Sequence, residues 1–203
     1  MPIPVSLVAE GLLDEQVLRH LLAQSGRDFA LGVCYGKRGR DHLAQNIGRF
    51  NQAAVHHPFI VLADLENDEC PPSLIRQWLP RGCHSNLVLR IAVRKVESWI
   101  LADGQAFAEF LGIPTARVPL EPDGETDPKA RLINLARRSR YRTIREDLVP
   151  APGSTSSIGK NYVGRLTGFV LNHWRAERAC RNSPSLERAL KAVQTYSPTL
   201  GQA

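Results

Sequence analysis

Acidic side chains follow two apolar runs of the chain. Val5–Ala9 ends on Glu10-Gly11, and Phe59–Ala63 ends on Asp64, Glu66, Asp68 and Glu69. If both runs are parallel strands of an open α/β sheet, their C-terminal ends share the edge where ligands bind. Carboxylates gathered there repel one another unless a cation lies between them, and a hard divalent ion, Mg²⁺ or Mn²⁺, suits oxygen-only ligands. Glu10 alone is compatible with a ligand, a general base or a simple cap. The second cluster is more specific, because alternation along an extended chain sets Asp64 and Glu66 on one side. A solvated loop tolerates such self-repulsion, but attachment to a buried strand favours a metal site, with Asp68 as a further ligand. Glu97 lies just past a later apolar run. It reads as a third carboxylate at that edge or as a structural acid paired with Arg90 or Arg94.

Cations accompany the acids. Gly36-Lys37-Arg38-Gly39-Arg40 precedes a helical pattern, where loop amides and the helix dipole favour an anion. The loop lacks the Gly-Lys-Ser/Thr ending of a nucleotide-hydrolysing P-loop, so Lys37, Arg38 and Arg40 read as contacts to a nucleic-acid phosphate. Lys129, Arg131, Arg137, Arg138, Arg140, Arg142 and Arg145 form the densest basic segment. Lys160 closes a Ser/Gly-rich stretch that reads as a linker or a second phosphate grip. Phosphate contacts from Lys and Arg position a polyanion without reading its sequence. Tyr141 and Tyr162 are candidates for base stacking or for helix core. The dispersed histidines carry no chemistry, and a zinc site through Cys70, Cys83 and His84 matches no standard spacing.

The net charge of +6 is unevenly spread: residues 1–126 hold 12 Lys/Arg and 15 Asp/Glu, residues 127–203 hold 14 and 5. An acidic-edge half joined to a basic half suits a protein that holds metal in one part and a polyanion in the other. With 203 residues and 43% hydrophobic content, the chain suffices for one globular domain with an appendage. It lacks an apolar run of the roughly 18 residues that suggest a membrane span, and its N-terminus does not read as a signal peptide. Four scattered cysteines read as reduced thiols, and the expected location is cytoplasmic, without membrane contact.

These residues need elements to position them. Ile3–Ala9, Phe29–Tyr35, Phe59–Ala63 and Asn86–Val93 read as strands. Helices are expected at Asp14–Gln24, from an N-cap at Asp41 to about His56, and at Ser73–Leu79. Such alternation predicts an α/β core with a mainly parallel sheet. Glu97–Leu111 reads as helix in two pieces broken near Asp103-Gly104, and Thr115–Thr126 as loop. Pro128–Arg138, Tyr162–Cys180 and Pro184–Thr195 read as helices, with Pro150–Lys160 a flexible connection. The boundary is set at residues 1–112 for the core and 113–203 for a basic helical extension packed on it.

Val8-Ala9-Glu10-Gly11 followed by Asp14, with Ile60-Val61-Leu62-Ala63-Asp64-Leu65-Glu66, resembles the Toprim domain of topoisomerases, primases and OLD-type nucleases. The resemblance implies a Rossmannoid core, a strand-end Glu in acid–base chemistry and an Asp-x-Asp pair on Mg²⁺. Here the pair is Asp64-x-Glu66, whose second member reaches farther. Arg90 through Asp103, Asp127-Pro128-Lys129 and the tail from Tyr162 to Leu186 are similar to a small Toprim-like family encoded beside ABC-type ATPases. That similarity implies an ATPase partner protein and a part in antiviral defence. The expected function is therefore Mg-dependent hydrolysis of DNA or RNA, with Glu10, Asp64, Glu66 and Glu97 catalytic. Glu10, Asp64, Glu66 and Asp68 would hold metal, and Lys37, Arg38, Arg40, Lys129, Arg137, Arg138, Arg140 and Lys160 would hold nucleic acid. The alternative is a non-catalytic module that binds nucleic acid or the ATPase. A small-molecule phosphotransferase is the third option.

Overall fold

The computed structural model describes residues 1–199. The first half winds as β1 (Ile3–Ala9), α1 (Leu12–Ala23), β2 (Phe29–Gly36), α2 (Arg40–Ala53), β3 (Phe59–Asp64), α3 (Pro71–Trp78) and β4 (Leu87–Ala92). The four strands form one all-parallel sheet in the order β2-β1-β3-β4. The expected α/β class is the one observed. Because β2 lies to one side of β1 and β3 to the other, the order reverses between β1 and β3, at the switch point where such sheets bind ligands.

Side-chain alternation sorts the core into two layers. Val5, Leu7 and Ala9 of β1, with Ile60 and Leu62 of β3, meet Val17, Leu18, Leu21 and Leu22 of α1. Val8, Val61 and Ala63 face the opposite way, toward Leu43 and Ile47 of α2 and Leu74 of α3. All six residues of β3 are buried, which explains its unbroken apolar reading.

The second half supplies α4 (Val96–Ala102), α5 (Gly104–Leu111), α6 (Pro128–Ala136), α7 (Arg142–Leu148), α8 (Tyr162–Asn172), α9 (Ala176–Ala179) and α10 (Pro184–Gln194). These helices cover the α1 face, and a single apolar cluster runs from Val5 through Trp99, Phe107 and Leu132 to Trp174 and Val193. Trp174 donates its indole N–H to the Trp99 carbonyl at 2.8 Å, and Trp99 donates to Ser185 at 2.7 Å.

Several boundaries differ from expectation. α1 starts at Leu12 rather than Asp14. α2 starts at Arg40 after an N-cap at Gly39, so Asp41 sits in its first turn instead of capping it. The long helix expected over Tyr162–Cys180 is two, because burial of Trp174 and capture of the Arg175 amide by Asp103 at 2.8 Å bend the chain there. The α7 helix, anchored by buried Ile144 and Leu148, was not expected at all. The Thr115–Thr126 loop holds two short 3₁₀ turns. The break at Asp103-Gly104 falls where the sequence placed it.

The loop after β2 is tied to the end of β1. Lys37 N–H donates to Ala9 at 2.8 Å and Gly39 N–H to Glu10 at 2.9 Å. Gly36 makes this approach possible: its φ is +89°, and a Cβ there would run into the Ala9 carbonyl. Gly36→Ala combines a disfavoured backbone conformation with that clash. It should lower unfolding free energy by about 2 kcal/mol or more, read from urea denaturation.

Candidate functional site

Parallel pairing of Ala9 with Leu62 sets the next residue of β1 beside the end of β3. Glu10 Oε1 accepts the Asp64 amide at 2.9 Å. Asp64 Oδ1 in turn accepts the Val96 amide at 2.9 Å, satisfying a donor at the first turn of α4. That turn carries Glu97, whose Oε1 accepts the Tyr162 hydroxyl of α8 at 2.9 Å. Asp14, on the first turn of α1, completes the group. A recess of about 230 Å³ lies between Asp14, Asp64, Glu66 and Glu97, with Lys129, Ile158 and Tyr162 also on its walls.

Glu10, Asp14, Asp64 and Glu97 are each only 4–9% exposed, and among the described residues none of them forms an ion pair. Their neighbour Glu15 differs in kind. Burial pulls its carboxyl up, but hydrogen bonds from Arg19 and Lys37 hold it below its ordinary value. Without such partners Glu10, Asp14 and Asp64 rise. Burial pushes Glu10 up to about 7 against the pull of the Asp64 amide. Burial and then the charge of Glu97 lift Asp14 to about 6. Asp64 rises well above the carboxylate range through burial and the charges of Asp14, Glu97 and Glu10. Asp14 Oδ1 is fully buried with no hydrogen-bond partner among the described residues.

An oxygen-only donor set, repelling itself and including an orphaned buried oxygen, fits a hard divalent cation by chemical type. Among the described residues, no three His, Cys, Asp or Glu side chains already surround a common point closely enough to hold one. One oxygen each of Glu10, Asp64 and Glu97 is engaged by an amide or by Tyr162. Holding an ion would require the remaining oxygens to draw inward.

The structure thus brings Glu10, Asp64, Glu66 and Glu97 together. Glu66 has left the extended path: its φ is +51°, so the simple alternation with Asp64 ends there. Asp68 lies in a different environment, paired with Arg40. The Arg40 guanidinium also donates to the Asp64 carbonyl, approaches Glu66 at 3.6 Å and lies over the Trp78 ring at 5.3 Å. Arg94 braces the same turn through the carbonyls of Glu66 and Asp68 at 3.1 and 2.7 Å. Lys37 pairs with Glu15 at 3.1 Å, and Arg38 is exposed on the loop.

Of the C-terminal cations, Lys129 lines the recess with its ammonium 5.4 Å from the Tyr162 ring centre. Arg137 and Lys160 line a separate depression. Arg138 and Arg140 are exposed, and Arg140 packs over Tyr141 at 4.7 Å. Sequence reasoning assigned no chemistry to Asp14, Lys95 or the Tyr162 hydroxyl. Only Asp14 had a usable signal, standing one helical turn beyond Glu10. All four cysteines are free thiols, and among the described residues no helix is long and apolar enough to cross a membrane.

Compared with models of protein families, with curated proteins and with solved structures, the chain matches none.

The raised carboxyls make a stability prediction with a definite sign. Folded Glu10 and Asp14 hold protons that the unfolded chain releases at lower pH. In EDTA, stability should therefore be greatest below about pH 4 for these groups and decline as pH rises through about 6–7. Melting scans should show the decline, and Asp14→Asn should lift the melting temperature at pH 8 by about 2–4 °C for each kcal/mol relieved. Mg²⁺ should raise it more at pH 8 than at pH 5.

Proposed function

We propose that this chain is a divalent-metal-dependent nuclease of the Toprim type, hydrolysing phosphodiester bonds of DNA or RNA. The observation that carries the reading is the convergence of Glu10, Asp14, Asp64 and Glu97 at the β1/β3 switch point with no cation among the described residues paired to any of them. Asp14 and Asp64, with Glu66 and Glu97 on the walls of the recess, would hold Mg²⁺ or Mn²⁺. Such an ion polarises a phosphoryl oxygen and makes bound water acidic enough to attack near neutral pH.

The protein's own groups do the rest. Glu10, with its carboxyl raised to about 7, is suited to take and return a proton near neutrality. Tyr162 fixes the carboxylate of Glu97, and Lys129 presents a positive charge on the wall to an entering phosphate. Arg40 shapes the turn after β3, because its guanidinium is already committed to that turn. That commitment also favours a second reading, in which Glu66 and Asp68 serve the turn and the chain is a non-catalytic nucleic-acid- or ATPase-binding module. An ABC-type ATPase partner and a part in antiviral defence rest on the Toprim-family resemblance alone.

Purified protein should cleave supercoiled plasmid or transfer RNA with Mg²⁺ or Mn²⁺ and not with EDTA. Glu10→Gln and Asp64→Asn should each slow cleavage at least about 100-fold while circular dichroism stays unchanged. Absence of cleavage under every metal, with or without an ATPase encoded alongside, would leave the binding-module reading.

A further inference from the structure

Resting on the proposed nuclease reading, we propose that the C-terminal half carries a path for a single nucleic-acid strand. The path leaves the acidic recess past Lys95 and Lys129, follows Asn134 to Arg137 and ends at Arg145 and Lys160.

The path is continuous because neighbouring concavities share walls. Lys95 and Lys129 line both the acidic recess and an adjoining groove of about 340 Å³. Arg137 lines both that groove and a third depression of about 470 Å³, which also holds Arg145 and Lys160. Among the described residues, Lys95, Lys129, Arg137 and Lys160 form no ion pair, whereas Arg19, Lys37, Arg40, Arg165 and Arg178 do. The two acids along the way are already engaged: Asp127 caps α6 through the Ala130 amide at 3.0 Å, and Glu146 accepts from Arg142 at 2.6 Å. Unpaired cations therefore follow one line leading away from the carboxylates, and a polyanion is the ligand that such a line holds.

Two features select a single strand over a duplex. The carboxylates lie on the floor of a recess and are 4–9% exposed, so a scissile phosphate must enter it. A duplex is stiff over about 150 base pairs and keeps its phosphates on a rod, whereas a single strand bends at each linkage and can dip inward. The third depression also sets Val149, Pro150 and Pro152 beside its cations. Charge next to an apolar wall suits a backbone whose sugars and bases are uncovered.

The test is binding in EDTA, read by fluorescence anisotropy with a labelled 12-nucleotide DNA strand, the same sequence in RNA, and the matching duplex. At least one strand should bind about 10-fold or more tightly than the duplex. Arg137→Glu with Lys160→Glu should weaken that binding about 10-fold or more and flatten the salt dependence by about 0.7 per cation removed. Arg76→Glu with Arg81→Glu, exposed cations in and just after α3 on the other side of the sheet, should change neither. Equal or tighter duplex binding, equal loss in the α3-side variant, or displacement by poly-glutamate at equal charge would overturn the path. Because metal is absent, strand binding without later cleavage leaves the path standing and defeats only the hydrolysis reading. Cleavage by the Arg137/Lys160 variant at unchanged rate and affinity defeats only the path.

Discussion

Parallel pairing between β1 and β3 is the constraint from which the rest follows. Its register pairs Ala9, the last residue of β1, with Leu62, two residues before the end of β3, so the Glu10 carboxylate meets the Asp64 amide at 2.9 Å. Asp64 then organises α4 through the Val96 amide, and α4 carries Glu97 to the opposite wall. Glu10 and Asp64 each serve a backbone amide and Glu97 a tyrosine hydroxyl, and with Asp14 they create an electrostatic strain that no ion pair among the described residues relieves.

That strain is local because neighbouring acids are treated differently. Glu15 lies one residue from Asp14, yet Arg19 and Lys37 hold it ionised. Asp68 lies four residues from Asp64, yet Arg40 pairs with it. Cations are thus supplied around the recess and withheld from its floor. Withholding them costs stability at neutral pH, a familiar cost where a protein keeps charged groups available for a ligand.

The first half of the chain was legible because its signals are local. β3 reads as a continuous apolar run since both its faces are covered, and the α1 stripe at Val17, Leu18, Leu21 and Leu22 has helical spacing. Once those elements are placed, Glu10 and Asp64 fall on one edge by topology alone. The fates of Lys37, Arg40 and Asp68 were not legible, because each is decided by a partner far along the chain or around a turn with positive φ. The second half was read less accurately for a related reason. Its helices are short, and their ends are fixed by contacts such as Trp174 to Trp99 and Asp103 to Arg175 and Arg178, which no local periodicity encodes. The Tyr162 hydroxyl was overlooked because an aromatic at a helix start reads as core; it is core, with its polar tip aimed at Glu97.

Tyr162 belongs to the last quarter of the sequence, and the apolar cluster beneath it is shared by Val5 and Val193. During synthesis, the β1 and β3 tips emerge from the ribosome long before the residue that roofs them. The pocket is thus closed only once Tyr162 has been synthesised. A nascent or prematurely terminated polypeptide would display the acids to water with neither Tyr162 nor Lys129 in place.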